Sequence, residues 1–316
     1  MTKKMLLAAS LTATLMGTVA SAENIGVSMA LFDDNFLTVL RNGMIEQADA
    51  MDGVDIQVED AQNDVAKQLD QINNFIASGV DAIIVNPVDT SATQAMSDAA
   101  AAAGVPLVYV NREPVNVDTL PDNQAFVASD ERESGTLETK EVCRLLSEAG
   151  KTEANIYVMM GELSNQAAVQ RTADIHDVMA SGECGVTLNI LQEQTANWSR
   201  DEAQDLMTNW LSTGEPFDAV ISNNDEMAIG AIQAMKAAGM SMADVIVGGV
   251  DATQDALAAM QAGDLDATVF QDAAGQGAGA LDAALKLARG EAVDTKVYIP
   301  FQLVTPANID QFLSKN

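Results

Sequence analysis

Short apolar runs alternate with longer amphipathic stretches along most of the chain. The runs are rich in residues that favour strands, whereas the stretches between them, such as 64–78 and 255–263, are rich in Ala, Leu, Met and Gln. The strand candidates are 25–31, 54–60, 81–86, 106–111, 125–129, 154–160, 187–193, 217–222, 245–250 and 267–271. Because apolar strands that alternate with helices form parallel sheets covered on both faces, the sequence predicts an α/β fold. Ten strands in a chain of this length fit two lobes better than one sheet.

Two predicted helices carry start signals. Ser199 and Glu202 have the S-x-x-E spacing of a capping box, in which each side chain accepts a hydrogen bond from the other residue's backbone N–H. The segment 87–96 places a turn proline and hydroxyl residues directly after the strand candidate 81–86. Both signals support the predicted alternation of strands and helices.

Polar residues follow nearly every predicted strand. They are Asp33, Asp34, Asn35, Asn86, Asn111, Arg112, Asn223, Asn224, Asp225, Asp251 and Gln271. In open parallel sheets, ligands bind at the carboxyl ends of the strands. One such residue would be a helix cap, but a rim of them, drawn from both halves of the chain, indicates a ligand site.

The N-terminus has the order of features found in secretory signal peptides. Lys3 and Lys4 precede an apolar run from Met5 to Met16, and the small-residue sequence 20–22 follows. We predict cleavage after Ala22, and the apolar run is too short to span a membrane. With no cysteine at the cleavage site, the sequence does not indicate a lipid-anchored protein.

The chain is strongly acidic. Its formal net charge is −30, and loss of Lys3 and Lys4 with the signal peptide moves it to −32. Nucleic-acid binding needs a basic face, so nucleic acid is a poor candidate partner, as is an anionic membrane surface. The acidity is typical of a well-solvated surface.

Cys143 and Cys184 are the two cysteines of the chain. Export to an oxidising compartment permits a disulfide, but the sequence does not place their Cα atoms within bonding distance. Cys143 lies in the helical run "TLETKEVCRLL", a pattern that favours a small buried apolar residue. The sequence therefore favours Cys143 as an unpaired buried residue over a disulfide, without settling the pairing.

The sequence offers little support for catalysis or metal binding. His176 is the single histidine, and a zinc set of usual spacing is absent. The glycines of 275–279 lack the spacing of a nucleotide-binding loop, and 251–255 lacks the alternating oxygen ligands of a calcium loop. Asp225 and Glu226 suit the start of a helix. We therefore expect neither an enzyme nor a bound cofactor or metal.

A neutral polyol fits the polar rim better. Each hydroxyl both donates and accepts, so it pairs with Asp, Asn and Gln oxygens and with arginine N–H groups. Phe36 and Trp198 fall in strand-to-helix loops, where an aromatic ring could contact the C–H face of a sugar. Trp198 has a second interpretation as a hydrophobic staple before the cap at Ser199.

Five segments carry a resemblance to a known family. "DAIIVNPVDTSA" (81–92), "VYVNREP" (108–114), "SNNDEMAIGA" (222–231), "VIVGGVDAT" (245–253) and "ATVFQ" (267–271) resemble the strand-end motifs of ribose/galactose-class periplasmic sugar-binding proteins of ABC importers. The resemblance implies two Rossmann-like lobes with three crossovers, which close like a hinge over one sugar. The N-terminal lobe would comprise 23–129 and 272–302, and the C-terminal lobe 130–271 and 303–316. A periplasmic monomer is implied.

The resemblance also implies a ligand set. The expected contacts are Asp34, Phe36, Asn86, Asn111, Arg112, Arg171, Trp198, Asn224, Asp251 and Gln271, with Phe36 and Trp198 on either side of the ring and a bidentate contact from Arg171. The chain aligns Ala30, Asp34, Leu37 and Asn111 where ribose binders carry Ser, Asn, a second aromatic and Asp, which puts ribose in doubt. "NREP" and "GELSNQAAVQRT" look more like binders of myo-inositol or related cyclitols, including the amino-cyclitol rhizopine.

The sequence therefore predicts a solute-binding protein that delivers a neutral monosaccharide or cyclitol to an ABC permease. Arg112 and Arg171 balance Asp34 and Asp251, which favours a neutral ligand over a sugar phosphate. One alternative is a pentose or hexose binder that serves a chemoreceptor or sensor kinase. Another is an exported sugar-modifying enzyme. A sugar-responsive transcription regulator shares the implied fold, but the export signal and the charge oppose it.

Overall fold

The computed structural model describes residues 22–315. The predicted signal peptide, including the small residues before the predicted cleavage point, lies outside the described residues apart from Ala22. Among residues 22–315, no helix is long and apolar enough to cross a membrane.

The described residues form strands and helices in near-regular alternation. The strands are β1 (Glu23–Met29), β2 (Val54–Asp60), β3 (Ala82–Val85), β4 (Leu107–Val110), β5 (Gln124–Ala128), β6 (Glu153–Met160), β7 (Thr187–Thr195), β8 (Ala219–Ser222), β9 (Ile246–Gly248), β10 (Thr268–Phe270), β11 (Lys296–Tyr298) and β12 (Gln302–Val304). The α-helices are α1 (Asn35–Asp49), α2 (Val65–Ser78), α3 (Thr93–Ala103), α4 (Glu131–Glu148), α5 (Gln166–Ser181), α6 (Arg200–Leu211), α7 (Asp225–Ala237), α8 (Gln254–Ala262) and α9 (Ala273–Ala288). The predicted α/β fold is confirmed.

Two parallel sheets organise the chain. The larger has the order β11-β5-β4-β3-β1-β2, and the smaller has the order β7-β6-β8-β9. Each strand pair within them is parallel. The central strands are buried on both faces, as continuous apolar runs require. β10 and β12 differ, since they form an antiparallel pair.

Local signals explain where the helices begin and end. The side chain of Asp64 accepts hydrogen bonds from two backbone N–H groups at the start of α2, and Gly79, with φ of +76°, ends that helix. Ser199 caps α6 by accepting from the N–H of Glu202 at 3.3 Å. The second half of the predicted capping box is not formed, because the Glu202 carboxylate accepts from Asn197 at 2.8 Å instead.

The chain passes three times between the two sheets. It crosses between β5 and α4, between β10 and α9, and between β11 and β12. α4 packs against β8, β9 and β10, whereas α9 packs against β3, β4 and β5. These connections agree with the three crossovers that the resemblance implied, while the residue boundaries of the lobes stay a prediction.

Cys143 and Cys184 form a disulfide, with their Cα atoms 5.1 Å apart. α4 and α5 pack side by side, and this packing brings Cys143 on α4 next to the turn after α5. The interpretation of Cys143 as an unpaired buried residue was therefore wrong. Its burial was expected correctly, since both cysteines lie in one apolar cluster.

Candidate functional site

A cavity of about 50 Å³ lies between the loops of the two sheets. It is lined by Asp34, Phe36, Leu37, Asn111, Arg112, Asn165, Ala167, Arg171, Trp198, Asn224, Asp251 and Gln271. Nine of the ten predicted ligand contacts lie on this wall, because the carboxyl ends of the strands in both sheets converge there.

Asn86 is the predicted contact that the structure places behind the wall. Its side chain is fully buried and donates to the carbonyl of Val110 at 3.2 Å and to Oδ1 of Asn111 at 3.4 Å. It also accepts from the N–H of Ala30 at 3.4 Å. Asn86 thus joins the loops after β1, β3 and β4, and supports Asn111.

Arg112 presents unused donors to the cavity. Its Nη1 donates to the carbonyl of Pro87 at 2.9 Å and to that of Val88 at 3.4 Å. Among the described residues, Nε and Nη2 of Arg112 donate to no protein acceptor, although the residue is only 7% exposed. A buried guanidinium with an open edge fits a ligand that supplies acceptor oxygens.

Arg171 is committed to the protein on most sides. Nε and Nη2 donate to the two carboxylate oxygens of Glu131, Nη2 also donates to Gln271, and Nη1 donates to the carbonyl of Asn223 at 2.7 Å. Four of the five guanidinium N–H groups are therefore used. The remaining one is on Nη1, and Oδ1 of Asp251 lies 3.8 Å from that atom. This arrangement leaves no edge for the bidentate ligand contact that the resemblance implied.

The acidic groups of the wall are raised in pKa. Burial raises the pKa of Asp34, opposed by the backbone N–H of Leu37 and the charge of Arg112. Burial raises the pKa of Asp251 strongly, and the charge of Arg171 opposes that rise. Burial alone would lower the pKa of Arg171, but Glu131 and Asp251 hold it above its ordinary value. Burial lowers the pKa of Arg112, opposed by the charges of Asp34 and Glu162. The two wall acids therefore favour the neutral form more than usual.

Three wall residues adopt backbone conformations that favour glycine. The φ angles of Asn111, Trp198 and Asp251 are +67°, +64° and +123°. Such conformations cost about 1–3 kcal/mol each and persist where the surrounding structure enforces them. Their occurrence at three separate strand ends marks the cavity as a site whose side-chain directions are set by the fold.

Asn224, in the polar stretch that follows β8, is the N-cap of α7. Its Oδ1 accepts from the N–H of Met227 at 3.0 Å, and its Nδ2 donates to the carbonyl of Trp198 at 3.4 Å. Asp225 is fully buried and accepts from Thr253 and Thr268. Asn224 therefore combines helix capping with a place on the wall, and Asp225 faces the protein interior.

Trp198 lines the cavity and also packs against the apolar core beside the smaller sheet. Its ring lies directly on Gly161, where an added Cβ would be 2.2 Å from ring carbons. The Arg171 guanidinium carbon lies 5.6 Å from the centre of the ring, within the range of a cation–π contact. Trp198 thus has the position expected of a ligand-facing ring, and its packing is also compatible with the staple interpretation.

Leu37, Asn165 and Ala167 also lie on the wall, although they were not in the predicted ligand set. Asn165 stands at the N-cap position of α5, yet its side chain does not cap the helix. Its Nδ2 donates to the carbonyl of Val88 at 3.3 Å, and its Oδ1 has no partner among the described residues although Asn165 is 1% exposed. The sequence signal that could have identified Asn165 is an asparagine directly before a helix, but that signal normally indicates a helix cap.

The chain matches known proteins along most of its length. A family model described as "Periplasmic binding protein domain" matches residues 25–292. A putative rhizopine-binding protein of Rhizobium meliloti is 66% identical over 304 residues, covering 96% of this chain and 97% of that protein. The ribose import binding protein of Bacillus subtilis is 31% identical over 283 residues, covering 89% and 87%.

Solved structures agree with the fold. An ABC transporter solute-binding protein from Bacillus halodurans with bound myo-inositol has a TM-score of 0.87 and 41% identity, and the match covers 95% of this chain and 100% of that one. The Caulobacter myo-inositol binding protein bound to myo-inositol has a TM-score of 0.82 and 29% identity, with 93% and 98% covered.

Proposed function

The chain belongs to the periplasmic binding protein family, and from that premise we propose that it captures a neutral cyclitol, myo-inositol or a close relative, and delivers it to an ABC importer. The family implies a periplasmic, sugar- or cyclitol-type solute-binding protein. The relatives named as rhizopine- and myo-inositol-binding support the finer choice of a cyclitol. A monomeric state and service to a chemoreceptor stay predictions.

The observation that carries the proposal is the pair of unused polar groups at Arg112 and Asn165. The Arg112 edge offers N–H donors, and Oδ1 of Asn165 is an acceptor without a partner among the described residues. Buried polar groups are normally hydrogen-bonded. A hydroxyl satisfies both kinds of group, because it accepts from arginine and donates to an amide oxygen. A ring bearing several hydroxyls fits that arrangement.

Charge at the cavity argues against an anionic ligand. Asp34 and Asp251 lie on the wall, and Glu131 lies behind it against Arg171. With Arg112 and Arg171 as the two cations, the formal balance of the group is negative by one charge. A sugar phosphate would bring further negative charge into a buried site where Asp34 and Asp251 already lie on the wall beside Arg112 and Arg171.

We further propose that binding, rather than catalysis, is the role of the site. The wall carries no serine, cysteine, histidine or lysine among its described residues, so it offers none of the usual nucleophiles apart from carboxylates. Residues from both sheets line the cavity, so a ligand that contacts them stabilises the closed arrangement. The closed shape is then the form that the permease recognises.

The proposal is tested on mature protein that has been unfolded, freed of bound small molecules and refolded. Thermal shift and calorimetry would be run with myo-inositol, scyllo-inositol, an amino-cyclitol, ribose, galactose and a sugar phosphate. At 100 times its dissociation constant, a ligand should add about 2.7 kcal/mol to the free energy of unfolding. We expect stabilisation by a cyclitol and none by the sugar phosphate. Stabilisation by ribose or galactose alone would overturn the choice of a cyclitol.

Arg112 and Arg132 provide a matched pair for the same experiment. Arg112→Ala removes the open edge in the cavity, whereas Arg132→Ala removes an exposed guanidinium outside it. We expect the first to weaken cyclitol binding at least tenfold, because a charged hydrogen bond contributes about 1.5–3 kcal/mol. The second should leave binding unchanged. Equal affinities for the two variants would contradict the assignment of Arg112.

A further inference from the structure

We infer that Glu131 is a positioning residue for ligand recognition, which orients Arg171 and connects it to the crossings between the two sheets. This inference rests on the proposed function for its binding readout. Glu131 is not on the cavity wall, and no motif in the sequence singled it out. Its role follows from how it holds a residue that is on the wall.

Glu131 and Arg171 form a two-bond ion pair in the interior. Nε of Arg171 donates to Oε2 at 2.7 Å and Nη2 donates to Oε1 at 2.9 Å. Both side chains are 4% exposed. Ser134 donates to the same Oε2 at 3.0 Å, which fixes the carboxylate from the other side. Parallel N–H···O bonds of this kind set the plane of a guanidinium as well as its position.

The pair connects the cavity to two of the crossings. Glu131 is the first residue of α4, directly after the crossing from β5. Gln271 follows β10 at the second crossing, and its Oε1 accepts from Nη2 of Arg171 at 3.2 Å. Arg171 is therefore bonded to both connecting segments at once. If one sheet moves against the other, Glu131 and Gln271 at the crossings move as well, and they set the direction of the Arg171 guanidinium.

The remaining donor of Arg171 depends on this arrangement. With Nε and Nη2 held by Glu131 and Gln271, Nη1 is the atom that has an N–H left for a ligand. If Glu131 lost its charge, the guanidinium would be buried beside a weaker acceptor and free to rotate toward other carboxylates, of which Asp251 is at 3.8 Å. The N–H on Nη1 would then no longer be fixed toward the cavity.

The test compares Glu131→Gln with Glu133→Gln. Both remove one negative charge from the first turn of α4, but Glu133 is exposed. Calorimetry with myo-inositol should give a dissociation constant about tenfold higher for Glu131→Gln, the factor expected when one charged hydrogen bond is lost. Glu133→Gln should bind as the unchanged protein does. If Glu131→Gln fails to fold, Glu131→Asp takes its place. It keeps the charge but withdraws the carboxylate from Arg171, and it should also weaken binding.

A double-mutant cycle separates positioning from general destabilisation. In an Arg171→Lys background, Glu131→Gln should cost much less than tenfold, because there is no guanidinium left to orient. A loss of the same size in both backgrounds would overturn the inference, because Glu131 would then act independently of Arg171. Folded Glu131→Gln protein that bound myo-inositol with the affinity of the wild type would also overturn the inference.

A ligand-free measurement keeps the inference testable if myo-inositol does not bind. The Nε–H signal of Arg171 in a ¹⁵N-resolved NMR spectrum, assigned with the Arg171→Lys variant, reports the ion pair directly. Glu131→Gln should shift this signal and speed its exchange with water, and Glu133→Gln should not. An unchanged signal would overturn the positioning role. If the wild type did not bind myo-inositol but Glu131→Gln still changed the Arg171 signal, the result would count against the proposed ligand and not against the positioning role.

Discussion

Gly161 determines how close the Trp198 ring can lie to the loop after β6. An added Cβ would stand 2.2 Å from ring carbons, so Gly161→Ala forces the ring to move. Because Trp198 lines the cavity, we expect the variant to bind myo-inositol about fivefold more weakly, a loss of about 1 kcal/mol that is typical of one aromatic contact. Calorimetry on the folded variant measures this loss.

The Trp198→Ala background is the control for this prediction. There the ring is gone, so Gly161→Ala should cause no further loss of affinity. If the loss persisted without the ring, Gly161 would affect binding through the backbone of its loop rather than through Trp198.

Much of the site was predictable at the residue scale because strand ends meet. Asp34, Arg112 and Trp198 were found on the wall where strand-to-helix loops converge. Arg171 lies inside α5 and was expected only from the family resemblance. Asn165 was not predicted, because an asparagine before a helix has the same sequence signature whether it caps the helix or turns to the opposite loop. The orientation of Arg171 was also not predictable, since four of its hydrogen bonds depend on residues 40 to 100 positions away.

The α4–α5 pair is held by the Cys143–Cys184 disulfide as well as by packing. The sequence separation is 41 residues, for which the chain-entropy estimate of the stabilisation is about 4 kcal/mol. We expect replacement of both cysteines by serine to lower the free energy of unfolding by about 2–4 kcal/mol, measured by urea denaturation. Affinity for myo-inositol should stay the same, because the bond lies outside the cavity wall. A stable variant with altered affinity would show that the disulfide shapes the site.

Asp174 on the inner face of α5 should make stability depend on pH. Burial raises its pKa to about 7, from an ordinary value of 3.8, although Gln170 donates to it at 2.8 Å. Between these two values the folded chain binds a proton that the unfolded chain releases. Stability therefore falls as pH rises from about 4 to 7, with a slope of at most about 1.4 kcal/mol per pH unit from this group.

Asp174→Asn should remove that part of the pH dependence. Urea denaturation at several pH values would show a shallower decline in stability between pH 4 and 7 than in the unchanged protein. The exposed Asp205 on α6 offers the control, since Asp205→Asn should leave the decline as it was. A decline of equal slope in Asp174→Asn would assign the pH dependence to other buried carboxyls.

At the element scale, the alternation of apolar runs and amphipathic stretches predicted ten of the twelve strands in residues 22–315. β11 and β12 were missed because most of their residues are exposed or only partly buried, so neither stands out as an apolar run. β11 pairs at an edge of the larger sheet, and β12 pairs with β10 after the third crossing. Such pairing depends on which distant strand the chain comes back to, and a local sequence pattern does not contain that information.

For the whole molecule, direct contacts hold the two halves together across the cavity. Thr90, after β3, donates to the carbonyl of Ser164 before α5 through both its N–H and its hydroxyl, at 3.1 Å and 3.0 Å. Nδ2 of Asn35 on α1 donates to Glu226 on α7 at 2.7 Å. These bonds contribute to the closed arrangement, and a ligand that contacts both halves adds to that contribution.

Asn35→Ala tests that contribution, because it removes a bond between the halves from an exposed residue outside the cavity wall. A hydrogen bond to a charged group at such a position contributes about 1 kcal/mol, so the closed fraction of ligand-free protein should fall. Small-angle scattering should give a larger radius of gyration, and the apparent affinity for myo-inositol should fall up to fivefold, in proportion to the closed fraction. Asn74→Ala, an exposed change on α2, should alter neither quantity. If Asn35→Ala changed affinity but not the radius, Asn35 would act on the ligand rather than on closure.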